Sequence, residues 1–160
     1  MRINIEPDEH IIASLPKVWG NEVGLMGFFK KSKEGILVLT NKNIIFVPKF
    51  VPLTPREREK FFGGDEAKVT VMDNYSESDL DEDISEQSTS LLLPLDSIAN
   101  VGNVELRKVN FLRIKCIFNS KTKTYDFGIA ASVTNYPIRQ PLRFYNVDWN
   151  AWIKLIKSYL

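Results

Sequence analysis

One cysteine and one histidine stand in a chain of 160 residues. A single thiol, Cys116, forms no internal disulfide, which excludes a disulfide scaffold and suits a reducing compartment. A lone histidine, His10, would have to serve any Ser-His-Asp or Cys-His arrangement. No run approaches the ~18 consecutive apolar residues of a membrane span. The opening MRINIEPDEH puts charge where a signal peptide needs an apolar stretch. A soluble cytoplasmic protein, at most peripheral to a membrane, is the expectation, and the Asn74-Tyr75-Ser76 sequon then carries no consequence. There is no glycine-rich phosphate loop: Gly24 and Gly27 are isolated, and Gly63-Gly64 reads as a helix stop. Net charge is close to zero, +1, so no global basic field points to nucleic acid.

What is present is enough for one core. The chain is 44% hydrophobic, and residues 1–160 read as a single domain. The small net charge conceals an asymmetry. Seven acids and no Lys or Arg lie between Asp73 and Glu86, leaving 21 basic against 13 acidic residues elsewhere, a balance of +8.

Ile36 to Thr40 and Ile44 to Val47 are rich in β-branched and aromatic residues, and Asn41-Lys42-Asn43 supplies the turn between them. Upstream, Glu22 to Phe29 reads as a strand paired with the first of these, through a turn at Lys30 to Gly35. Phe111 to Phe118 alternates cleanly, with Leu112, Ile114, Cys116 and Phe118 on one face and Arg113, Lys115 and Ile117 on the other. Asn119 to Thr122 turns the chain, and Tyr125, Phe127 and Ile129 continue the apolar face. Leu91 to Leu95 is a short strand whose Pro94 places it at an edge or end, and Leu142 to Tyr145 is a further candidate.

A terminal helix carries Trp149, Trp152, Ile153, Ile156 and Leu160 as its apolar stripe, with Asn146 as cap and Asp148 near its positive end. Residues 51–90 form an insertion. Thr54-Pro55-Arg56-Glu57 is a capping box with Pro at the first helical position, predicting a short helix over 55–62. Its Phe61-Phe62 pair is expected to pack on the sheet. Ala67 to Met72 reads as a brief strand, and the composition of 73–90 predicts disorder.

Taken in order, these elements resemble a pleckstrin-homology-like (PH-like) domain. GILVLTNKNIIFV is similar to the G-x-L-x-L-T-N-x-R-L-I-F hairpin of GRAM domains and related PH-like families, among them those of bacteria and archaea. Ile5 to Ile12 resembles their L-x-P-G-E-x-I opening, and Leu93 to Val101 their F-P-L-x-x-I-x-x-V strand. Asn43 stands where those families often carry Arg, so no role of that Arg is carried over, and the long acidic insertion is atypical. The resemblance implies a mainly β (α+β) architecture, a split β-barrel of about seven antiparallel strands capped by a C-terminal helix. It also implies a non-catalytic binding module for proteins or anionic lipids.

Several groups could carry chemistry. Cys116 lies on the core face of a strand, where a thiol is ordinarily inert packing, so no catalytic role is assigned to it or to His10. Asp79 to Asp83 resembles the opening of a calcium loop but lacks its glycine and final glutamate, and neither metal nor cofactor is expected. The basic turn Lys30, Lys31, Lys33 is the candidate for binding anionic headgroups, each lysine near such a surface contributing ~1 kcal/mol. Arg113 and Lys115, with Lys121 and Lys123, form a second basic cluster on an outer face. Aromatic Tyr125 and Phe127 share the opposite, apolar face, which argues against single-stranded nucleic acid. Ser76, Ser78 and Ser85, followed by acids, suit an acid-directed kinase. A protein-interaction or adaptor domain is the leading expectation, with anionic lipid as the alternative partner.

Overall fold

The computed structural model describes residues 4–24 and 32–160. Its strands are β1 (Ile11–Glu22), β2 (Lys33–Thr40), β3 (Asn43–Val47), β4 (Leu91–Pro94), β5 (Ile98–Leu106), β6 (Val109–Phe118), β7 (Lys121–Thr134) and β8 (Gln140–Tyr145). They make one antiparallel sheet in the order β4-β3-β2-β1-β7-β6-β5, with β8 on the far half of β7. Fourteen residues let β7 serve three partners: its first half pairs with β6 and β1, and its second with β8. Leu37, Leu39, Ile44 and Phe46 from one half of the sheet share a core with Leu112, Ile114, Cys116 and Phe127 from the other. The Phe46 and Phe127 ring centroids lie 5.5 Å apart across it. Helix α3 (Asn150–Lys157) inserts Trp152, Ile153 and Ile156 into the same core.

The near-continuous apolar run of β2 and β3 follows from burial of both faces. Ile36, Val38, Ile45 and Val47 point away from the main core and pack under Leu80 and Ile84 of α2 (Glu77–Glu86) and under Ile5. Gly35 permits this close pairing: a Cβ there would lie 2.2 Å from the Val47 carbonyl oxygen. Glu9 locks the hairpin end. Buried, it accepts hydrogen bonds from the Thr40 hydroxyl and from Asn43 Nδ2, the latter at 2.8 Å. Lys42 at the turn pairs with Glu6 and Asp8, which raises the Lys42 pKa and lowers that of Asp8. The Ile5–Ile12 opening and the GILVLTNKNIIFV hairpin thus touch each other, and Asn43 has a structural task of its own.

Five expectations need correction. The segment 73–90 is not a disordered run: α2 is a helix capped by Ser76, whose side chain exchanges hydrogen bonds with the backbone and carboxylate of Asp79. Several of its acids are engaged. Asp81 Oδ1 accepts from the backbone amides of Asn4 and Ile5 at 2.7 and 3.1 Å, and Asp83 binds Lys49 Nζ and the Tyr75 hydroxyl. Composition missed the helix because its apolar face is only Leu80 and Ile84.

The strand beside β2 is β1, which begins at Ile11 and ends at Glu22, rather than one starting at Glu22, and β2's other neighbour is β3; residues 25–29 of the expected strand lie outside the described residues. Pro16 hides β1 in the sequence. The chain absorbs it as a bulge between Leu15 and Val18, with Lys17 at φ 64°.

Ala67 to Met72 is not a strand. Its backbone groups find separate partners: Ala67 N–H donates to Asp148 O, Lys68 O accepts from Trp152 Nε1, and Thr70 O accepts from Ser14 N–H. Asn146 does not cap α3, which begins after Trp149. Asn146 Oδ1 accepts from the backbone and side-chain nitrogens of Asn110, while Asp148 Oδ1 accepts from the Asn150 amide at 2.8 Å. Leu160, expected on the helix stripe, is exposed.

The short helix α1 (Pro55–Phe62) carries the full Thr54–Glu57 capping box and buries Phe61 and Phe62. Two exchanged hydrogen bonds with Thr54 hold the Glu57 carboxyl below its ordinary range.

Candidate functional site

The β1 bulge, the start of β2, the segment after β3 and the β7–β8 turn converge on one cleft of about 430 Å³. Its floor is Glu34, whose side chain is almost wholly buried. Lys17, turned by the bulge, approaches Glu34 Oε2 at 3.3 Å, and Arg139 reaches Oε1 through Nε at 2.8 Å. Arg139 also donates to Asn135 Oδ1 at 3.1 Å, so one guanidinium ties the hairpin turn to the floor. Phe50 forms a wall. Lys17 Nζ lies 4.1 Å and the Arg139 guanidinium carbon 4.7 Å from its ring centroid.

Lys33 and Lys49 complete the basic lining. Four cations (Lys17, Lys33, Lys49 and Arg139) therefore stand against two carboxylates, Glu34 and Asp83, and the balance is positive. The Ser32 hydroxyl also lines the cleft, is shielded from solvent, and finds no hydrogen-bond partner among the described residues. On the rim, Phe50 and Ile138 are more than half exposed. A cavity with surplus positive charge, a spare hydroxyl and an apolar rim suits an anion attached to apolar material.

Of the residues singled out from the sequence, Lys33 lines this cleft. Lys30 and Lys31 lie outside the described residues. Arg113 is elsewhere and engaged: Nε and one terminal nitrogen grip buried Asp126 at 2.8 and 2.9 Å, cross-strand partners in the β6–β7 register. That grip raises the Arg113 pKa further. Lys115 is exposed on the outer face of β6. His10 is exposed and bonded through its backbone to Asn41, and burial pushes the Cys116 thiol up to about 11. The acids of the calcium-like run sit in α2 with the partners described above.

Sequence reading missed Lys17, Glu34, Lys49, Phe50 and Arg139. Glu34 and Arg139 are separated by 105 positions, and no local spacing announces such a pair. The only nearby signal is Pro16, which breaks the strand pattern just before Lys17.

The fold has a solved counterpart. The chain is similar to the Vps36 N-terminal PH domain, with a TM-score of 0.50 and 14% identity over 97% of this chain and 81% of that one. The architecture is thus that of a mainly β, PH-like domain, an antiparallel barrel-like sheet closed by a C-terminal helix. No family model matches the chain, and no curated protein matches it in sequence.

Proposed function

We propose that this protein is a non-catalytic, PH-like binding module that docks peripherally on membranes carrying anionic lipid, with the Glu34 cleft receiving the headgroup. The observation that carries the reading is the convergence of Lys17, Lys33, Lys49 and Arg139 around a cavity edged by exposed Phe50 and Ile138. Ammonium and guanidinium groups neutralise phosphates, and the apolar rim tolerates contact with lipid. Lys30 and Lys31 directly precede Ser32 in the chain and lengthen the basic run in sequence beside Lys33. Arg113 stays outside it, since removing that guanidinium from Asp126 would strand a buried carboxylate. The lock of Glu9 on Thr40 and Asn43 supports reading the chain as GRAM-like within this fold.

Sedimentation with vesicles of phosphatidylcholine alone or with phosphatidylserine tests the proposal. The wild type binds the anionic vesicles at low salt, and the triple change Lys30→Ala, Lys31→Ala, Lys33→Ala weakens binding about a hundredfold, at ~1 kcal/mol for each lysine. Absence of wild-type binding at low salt overturns the lipid reading and leaves a protein partner, the leading expectation from sequence, as the one to pursue.

A further inference from the structure

We propose that the β7–β8 turn is a membrane wedge: Tyr136 and Ile138 enter the acyl-chain region of an anionic bilayer while the adjacent cleft holds the headgroup. This deepens the lipid-docking reading and rests on it. Tyr136 is 86% exposed and Ile138 58% exposed, and Phe50 stands 53% exposed on the facing wall. Single apolar side chains on a surface need no explanation, but Phe50 and Ile138 line one cavity together with Lys33, Lys49 and Arg139, and Tyr136 stands two positions before Ile138 in the same turn.

The turn is not a loose end folded out by chance. Arg139 anchors it through Glu34 and Asn135, and below it Phe144 packs edge-on against Phe111 at 5.1 Å between ring centroids. That small core of Trp19, Phe111 and Phe144 is flanked by Val133 and Ala130 at the base of the hairpin. The apolar tip is therefore anchored at its base by hydrogen bonds and packing, with core places already filled beneath it.

The chemistry of the surround selects the occupant. Lys33, Lys49 and Arg139 flank the tip, and Arg143 is exposed further along β8. Lysine is depleted from the cores of protein–protein interfaces, whereas a lysine-rimmed apolar point complements an anionic lipid surface. Cations next to the turn meet phosphate or carboxylate at the depth where Tyr136 and Ile138 pass into hydrocarbon.

A tryptophan reporter tests this in the full chain. The native tryptophans, Trp19, Trp149 and Trp152, are buried, so Tyr136→Trp adds the one exposed indole among the described residues. On phosphatidylcholine–phosphatidylserine vesicles its emission shifts to the blue, and acyl-chain-brominated lipid quenches it. The double change Tyr136→Ala, Ile138→Ser weakens vesicle binding at least about tenfold, as loss of apolar burial requires, and leaves a remainder abolished by salt. If Tyr136→Trp protein binds the vesicles with neither shift nor quenching, the wedge is refuted and headgroup docking stands. If neither this variant nor the wild type binds, both readings fall together.

Discussion

Replacing Leu80 by alanine probes whether the acidic insertion is part of the fold. Leu80 is fully buried between α2 and the outer faces of Ile36, Val38, Ile45 and Val47. Truncation removes the transfer energy of three buried carbons and leaves a cavity under a helix pinned by Asp81, Asp83 and Glu77 to three other segments. A site held at several points collapses poorly, so the upper part of the usual range of about 2–5 kcal/mol applies, roughly 3–4 here. For a domain of this size that lowers Tm by roughly 6–16 °C, at about 2–4 °C per kcal/mol. The control is Glu82→Ala, an exposed position on the same helix, which stays within about 0.5 kcal/mol. Thermal and urea unfolding of wild type and both variants measure the difference. A Leu80→Ala change as small as that of Glu82→Ala would refute the packing argument and return 73–90 to the status of a solvated internal segment.

Three further outcomes follow from the core and its charges. Gly35→Ala forces a methyl group toward the Val47 carbonyl and the Phe46 ring, and is expected to cost more than about 3 kcal/mol in urea unfolding, since backbone cannot yield as a side chain can; a neutral result would mean that the β2–β3 pairing is looser than described. Arg113→Ala leaves Asp126 buried without its bidentate partner and costs about 3 kcal/mol, whereas Arg113→Met with Asp126→Leu recovers most of it. Equal instability of the single and double variants would show that the pair contributes beyond charge compensation. With its thiol pushed up to about 11, Cys116 is about one part in a thousand thiolate at pH 8, so native protein resists Ellman's reagent while urea-unfolded protein reacts stoichiometrically. Rapid labelling of the native state at pH 8 would contradict the burial.

How far the fold was legible varies by element. Period-two alternation in β6 read correctly because its Lys115 and Ile117 face meets solvent, and the Thr54–Glu57 box read correctly because a cap is a local signal. β1 was hidden by Pro16, and its role is visible only with the bulge at Lys17 and both neighbouring strands in place. The candidate site was legible in one residue, Lys33. Arg113 and Lys115 looked equivalent in the alternation, yet a cross-strand Asp126 engages the first and leaves the second in water.

Sequence alone determined that this is a mainly β domain ending in a tryptophan-bearing helix, because apolar periodicity, turns and caps act over a few residues. The double burial of β2 and β3 under an acid-rich helix was decided only when Leu80 and Ile84 met a face whose partners lie some forty positions away. The cleft was decided the same way. Glu34, Lys17 and Arg139 carry opposite charges wherever they stand, but their meeting over one buried carboxylate depends on β1, β2 and the β7–β8 turn reaching the same point in space.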